Sequence, residues 1–126
     1  MPARGIRGAI TVERNTEAAI LEGTKEVIRE LIAKNNIKRD DVVFAMFTTT
    51  RDLNAQFPAM AARQMGWTDL ALLCGHEMEV PGSLQKVVRV LVVVNTKKRN
   101  EELVHVYLKG AVALRSDWNQ GKPKTQ

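Results

Sequence analysis

The chain has one cysteine in 126 residues. A lone Cys74 excludes an intrachain disulfide framework and makes no cysteine-rich metal site. Long hydrophobic runs are missing too. The apolar stretches at residues 42–47 and 90–94 fall far short of the ~20 residues that a membrane helix needs. Residues 1–8 carry no apolar segment, so no secretory signal is expected. No glycine-rich phosphate loop is present, because Gly5-Ile-Arg-Gly8 has neither the dinucleotide nor the Walker pattern. His76 and His105 alone make a poor metal site. These absences predict a soluble, cytoplasmic protein with no metal, no cofactor and no membrane attachment.

What remains is ordinary globular material. Apolar residues make up 44% and charged residues 26%, which argues against disorder. The length suits one domain that buries roughly two thirds of its unfolded surface. We expect a single domain over residues 1–115 and a mobile polar tail over 116–126.

Hydrophobic periodicity orders the elements. Residues 5–13 read as a strand, β-branched at Ile6, Ile10 and Val12. Asn15 is placed to cap the helix that follows, with Glu17 in its first turn. Ile20, Leu21, Thr24, Val27, Ile28, Leu31 and Ile32 form one apolar stripe. The opposite face carries charges, with Glu30 and Lys34 at favourable spacing. Asn35-Asn36 suits the helix end. Residues 42–50 read as a buried strand, with Phe44 and Met46 in the core. Residues 57–66 read as a short helix with Pro58 in its first turn and Gly66 stopping it. A short strand at 70–73 leads into a loop, Cys74-Gly75-His76-Glu77, and then a turn at 80–83. Residues 86–95 are the clearest strand, followed by a basic loop at 96–100. Strands at 104–108 and 111–114 close the chain. The predicted class is α+β (α/β), one mixed sheet with helices on one face.

The charge balance is +5, from 19 Lys and Arg against 14 Asp and Glu. Such an excess raises a nucleic-acid reading, but its distribution argues otherwise. Lys97-Lys98-Arg99 forms a solvated loop offset by Glu101 and Glu102. Arg7, Arg89 and Arg115, by contrast, interrupt or end apolar strands. Strand alternation sharpens the point. Val88, Val90, Val92 and Val94 share one face, while Arg89 shares the other with Val87, Leu91 and Val93. Arg7 has only Gly5, Ala9 and Thr11 on its own face. His105 and Tyr107 likewise alternate with Val104, Val106 and Leu108. An arginine keeps its proton and must find anions. Glu77 or Glu79, a subunit interface or a ligand carboxylate would serve. Together with Tyr107 and Glu77, these arginines could hold a small polyanion. Cys74, two residues from His76, is better read as a small hydrophobe than as a nucleophile.

Five segments occur together in order and spacing: Arg4-Gly-Ile-Arg-Gly-Ala-Ile-Thr-Val-Glu13, Asp52-Leu-Asn-Ala-Gln-Phe-Pro-Ala59, Val80-Pro-Gly-Ser-Leu84, Arg89-Val, and His105-Val-Tyr-Leu108 followed by Leu114-Arg115. In these the chain resembles the trimeric α/β-barrel-like chorismate mutases, over about residues 4–118. The resemblance implies an isomerase of aromatic amino-acid biosynthesis in the shikimate pathway. It implies a homotrimer whose sheets pack into a pseudo-barrel with active sites at the subunit interfaces. Chorismate, a dicarboxylate with an enol-ether oxygen and a ring hydroxyl, would be rearranged to prephenate without a cofactor. By resemblance, Arg89 donates to the ether oxygen and the side-chain carboxylate, which Arg7 and Tyr107 also hold. Glu77 accepts from the ring hydroxyl, helped by Cys74. Phe57, Leu73 and Leu114 supply apolar wall, Gly75 and His76 border the substrate, and Arg63 and Arg115 stand at the mouth. Phe57 to Arg63 would come from the neighbouring subunit.

Three features depart from the family pattern: Met60 where some relatives carry a charge, a more basic loop at 97–100, and Ser116 where a proline often stands. None touches Arg7, Cys74, Glu77, Arg89 or Tyr107. A non-catalytic trimeric sensor of small carboxylates would use the same arginines.

Overall fold

The first strand, β1 (Ala3–Thr11), and the central strand, β4 (Val87–Asn95), pair antiparallel along their whole length. The structure, a computed structural model, describes residues 1–114. The remaining elements are α1 (Glu17–Asn35), β2 (Val42–Thr49), α2 (Ala59–Gln64), β3 (Ala71–His76) and β5 (Val106–Leu108). The sheet order is β3-β2-β4-β1-β5. β4 runs antiparallel to both of its neighbours, whereas β3 and β5 add parallel to the outer sides of β2 and β1. The expected mixed sheet with helices on one face is therefore found.

Alternation on the strands builds the core. Ile6 and Ile10 of β1, Ala45 and Phe47 of β2, and Val88, Val90, Val92 and Val94 of β4 all point to the helix side and are buried. They meet Ile20, Val27, Ile28 and Leu31 of α1. α1 is not strong on propensity, since Gly23 costs about 1 kcal/mol against alanine. Each buried aliphatic contributes about 1.5–3 kcal/mol, so packing outweighs the deficit. Two glycines let the helix lie close to β1. A Cβ on Gly8 would stand 2.9 Å from Leu31 and Val27 side-chain carbons, and one on Gly23 would stand 2.6 Å from Val12 Cγ1.

The ends of α1 differ from expectation at one side only. The N-cap is Thr16, whose Oγ1 accepts from the Ala19 N–H at 3.1 Å. Asn15 does other work: its Oδ1 accepts from the N–H groups of Asn54 and Ala55, both at 3.0 Å. Those donors lie in a loop with no ladder to satisfy them, and Asn15 pins that loop to the start of the helix. At the far end Asn36 is left-handed (φ 52°) and its N–H donates to Ile32 O, as a helix stop requires. Glu30 and Lys34 do pair, at 3.9 Å and well exposed, a few tenths of a kcal/mol at most.

Three further expectations are corrected. β3 runs on through Cys74, Gly75 and His76, which pair with Phe47, Thr48 and Thr49, so this segment is strand, not loop. β5 starts only at Val106, because the side chain of buried Asn35 takes both Val104 backbone groups, at 2.8 and 2.9 Å. Residues 111–114 are not a strand. Lys109 adopts φ 52° and turns the chain off the sheet edge into a 3-10 turn, Lys109–Ala111, followed by helical residues. The Gly110 N–H donates to Thr11 Oγ1 at 2.9 Å and anchors that turn.

Candidate active site

The sheet face away from the helices is mostly open, and its cross-strand rows follow from the register. Thr48, Arg89, Ala9 and Tyr107 lie side by side on β2, β4, β1 and β5. The next row carries Met46, Leu91 and Arg7. Ala9 is small, so the row dips between Arg89 and Tyr107. The result is a cleft of about 220 Å³ lined by Arg7, Thr48, Glu77, Arg89, Leu91 and Tyr107 among others. Buried Val87, Ala9 and Ala111 form a small apolar cluster on this side of the sheet, and Leu84, Tyr107 and Leu114 pack against it.

Glu77 follows directly on β3. Its N–H donates to Thr49 O at 2.8 Å, which extends the pairing by one residue. Its carboxylate Oε2 accepts from the Thr48 hydroxyl and lies 3.3 Å from Arg89 Nε. The ion pair considered for a strand arginine is thus formed, by Glu77 and not Glu79, which meets Arg51 in an exposed pair at 3.6 Å. Arg89 keeps 45% of its side chain exposed and Glu77 25%. The pair uses Nε, and a guanidinium has further N–H donors on its two terminal nitrogens. The Arg7 backbone N–H donates to His105 Nδ1 at 3.0 Å, which ties the β1 edge to the approach of β5.

Cys74 is not in this cleft. It shares its strand parity with the core side and packs partly buried against the core. Burial pushes its thiol above the ordinary range, only partly opposed by the Ala59 N–H and the nearby Arg63 charge. A thiol kept neutral in this way is a poor nucleophile. His76 contacts Thr49, with Nδ1 3.3 Å from both its carbonyl oxygen and its hydroxyl. Cys74, Gly75 and His76 line a second cleft of about 340 Å³ with Phe57, Pro58 and Thr49.

The expected site residues therefore divide. Arg7, Glu77, Arg89 and Tyr107 come together on the open face; Phe57, Cys74, Gly75 and His76 sit at the β3 edge, with Arg63 near Cys74. Leu73 lies on the open face beside Met46 and is 62% exposed. Arg115 and Ser116 lie outside the described residues. Met46 corrects the reading of residues 44 and 46 as core. It is exposed and lines the open cleft, and Phe44 is only half-buried, while Ala45 and Phe47 fill the core. Thr48 and Ala9 went unsuspected as site residues; a threonine opposite an arginine carries no signal until the register is known. Among the described residues no cluster of His, Cys, Asp and Glu could hold a metal ion, and no helix is long and apolar enough to cross a membrane.

Fold and site together define an α+β domain whose open sheet face gathers two arginines, a glutamate and a tyrosine in one cleft. Comparison with known proteins identifies its family. Residues 3–118 match the family described as chorismate mutase type I. The chain is 45% identical over 118 residues to chorismate mutase AroH of Bacillus subtilis (strain 168), covering 93% of each protein. It is 46% identical over 115 residues to chorismate mutase AroH of Thermus thermophilus, covering 90% of this chain and 94% of that one. A solved chorismate mutase from Clostridium thermocellum superposes with a TM-score of 0.86 at 48% identity, over 87% of this chain and 98% of that one. The chain belongs to the type I chorismate mutase family. It is accordingly an isomerase, a chorismate mutase.

Proposed function

We propose that the chain converts chorismate to prephenate in sites that each join the open-face cleft of one copy to the β3-edge cleft of another, within a cytoplasmic homotrimer. The division of the expected site residues between two clefts carries this reading. Arg7, Glu77, Arg89 and Tyr107 line one cleft, whereas Phe57, Cys74, Gly75 and His76 line the other. Phe57 (66% exposed) at the β3 edge, Leu73 on β3 and Met78 just beyond it are unburied apolar side chains that a second copy would cover on docking.

The chemistry asked of the site is modest. A Claisen rearrangement passes through no covalent enzyme intermediate and needs no proton transfer. The protein must hold a compact reactive conformer and meet negative charge that grows on the ether oxygen. Arg89 meets that charge with its terminal N–H groups, while its Nε on Glu77 fixes the fork. Arg7 and Tyr107 hold the side-chain carboxylate. Glu77 takes the ring hydroxyl. Phe57, Leu73 and Leu114 wall the ring, with Gly75 and His76 at its border, Cys74 behind them, and Arg63 and Arg115 at the mouth. Purified protein without added metal should consume chorismate and yield prephenate, and light scattering should give the mass of three chains. A well-folded trimer that leaves chorismate unchanged defeats the catalytic reading; an active monomer defeats the shared site.

A further inference from the structure

Glu77 reaches the open cleft from just beyond the end of a strand. It follows the last residue of β3, and a free glutamate side chain loses about 1.5–2 kcal/mol of rotamer entropy when held. Its backbone is fixed by the bond to Thr49 O, but that leaves the carboxylate free to turn. The side chain that stops it is Thr48, whose Oγ1 donates to Glu77 Oε2. Thr48 lies directly opposite Arg89 in the β2–β4 register and lines the same cleft. As a β-branched residue on a strand it has a stiff χ1, so its hydroxyl is a fixed post rather than a mobile donor. Both the Thr48 hydroxyl and Arg89 Nε address Oε2, so among the described residues Oε1 is left for another donor.

We infer that Thr48 is a positioning residue for the reaction: it holds Glu77 so that Oε2 braces Arg89 and Oε1 faces the substrate hydroxyl. The inference rests on the reading of Glu77 given above. Without the threonine hydroxyl, a carboxylate beside a guanidinium turns toward the two-pronged pairing that such groups prefer. That would engage the Arg89 donors the ether oxygen needs, and Glu77 and Arg89 would quench one another instead of meeting substrate.

The test is a set of variants assayed for chorismate turnover, with thermal melting and trimer mass as controls on folding. Thr48→Val keeps the shape and removes the donor; kcat/KM should fall about tenfold or more, as for a lost bond to a charged group. Thr48→Ser restores the hydroxyl and should keep activity within about threefold of wild type. Thr48→Ala serves as the second donor-less variant if valine disturbs the strand. In a Glu77→Ala background, Thr48→Val should cost less than about twofold, since a residue acting through the Glu77 side chain has nothing left to position. Unchanged activity in both donor-less variants, failure of serine to rescue, or additive losses in the double variant would each overturn the role. An inactive wild type overturns the function itself and this role with it, whereas an active wild type indifferent to Thr48 overturns the role alone.

Discussion

A guanidinium that never loses its proton stabilises a transition state only if its fork is held in place. At Arg89 the brace is Glu77 on Nε. Arg89→Ala should therefore lower kcat by about 100- to 1,000-fold, the range seen when one donor to a developing oxyanion is removed. Arg89→Lys should be severely impaired as well, because a point charge cannot both lean on Glu77 and reach the ether oxygen. Steady-state kinetics on the two variants check this, and a lysine variant with near-normal kcat would remove Arg89 from the role assigned to it. Cys74 yields a prediction of a different kind. Burial raises its thiol, so the folded chain keeps that proton to higher pH than the unfolded chain does. The stability linked to it is fully present below the ordinary thiol value of 9.0 and is lost as pH rises past that value toward the raised one. Cys74→Ala should flatten the fall in urea midpoint between about pH 8 and about pH 10. Equal slopes in the two proteins would show that other groups cause the alkaline loss.

The contact between α1 and β1 sets two effects against each other at Gly23. Alanine there gains about 1 kcal/mol of helix propensity. Its Cβ, however, would stand 2.6 Å from Val12 Cγ1, and overpacking a filled contact costs about 1–3 kcal/mol. Gly23→Ala should be net destabilising by about 1 kcal/mol, read as a lower melting temperature; a stabilised variant would mean that Val12 moves aside freely. Such close approaches are invisible in a sequence, whereas the elements that make them were largely legible. β1, α1, β2, α2 and β4 show in apolar periodicity and in Pro58, Gly66 and Asn36. The chain after β4 was misread because long-range partners decide it. Asn35 reaches from α1 to take the ladder groups of Val104, and Lys109 turns left-handed in a segment rich in strand formers. The site divides along the same line. Arg7, Glu77, Arg89 and Tyr107 stand out as polar groups amid apolar neighbours. Thr48 and Met46 do not, because β2 is apolar on both sides and only its pairing with β4 says which side faces the cleft.

At the scale of the molecule, the open sheet face is the feature that a single chain leaves unresolved. Leu73 stays exposed on it beside the cleft that Arg7 and Arg89 line, and Phe57 and Met78 stay exposed at and beyond the β3 edge. Burying such side chains against another copy would contribute about 1.5–3 kcal/mol each, so the proposed assembly would be stabilised by the same contacts that complete the proposed site. If each site joins the open face of one copy to the β3 edge of the next, two variants damaged in opposite halves should repair each other. Arg89→Ala disables the open-face half. Phe57→Asp disables the edge half by setting a carboxylate against a dianionic substrate. Mixed by co-refolding in equal amounts, the two inactive proteins should recover about a quarter of wild-type activity, since random assembly pairs two intact halves at one site in four. Recovery must depend on exchange of chains, so mixing preformed trimers should recover nothing until they dissociate. Sites contained within one chain would recover no activity under either protocol, and that result would return Phe57 and Arg89 to a single subunit.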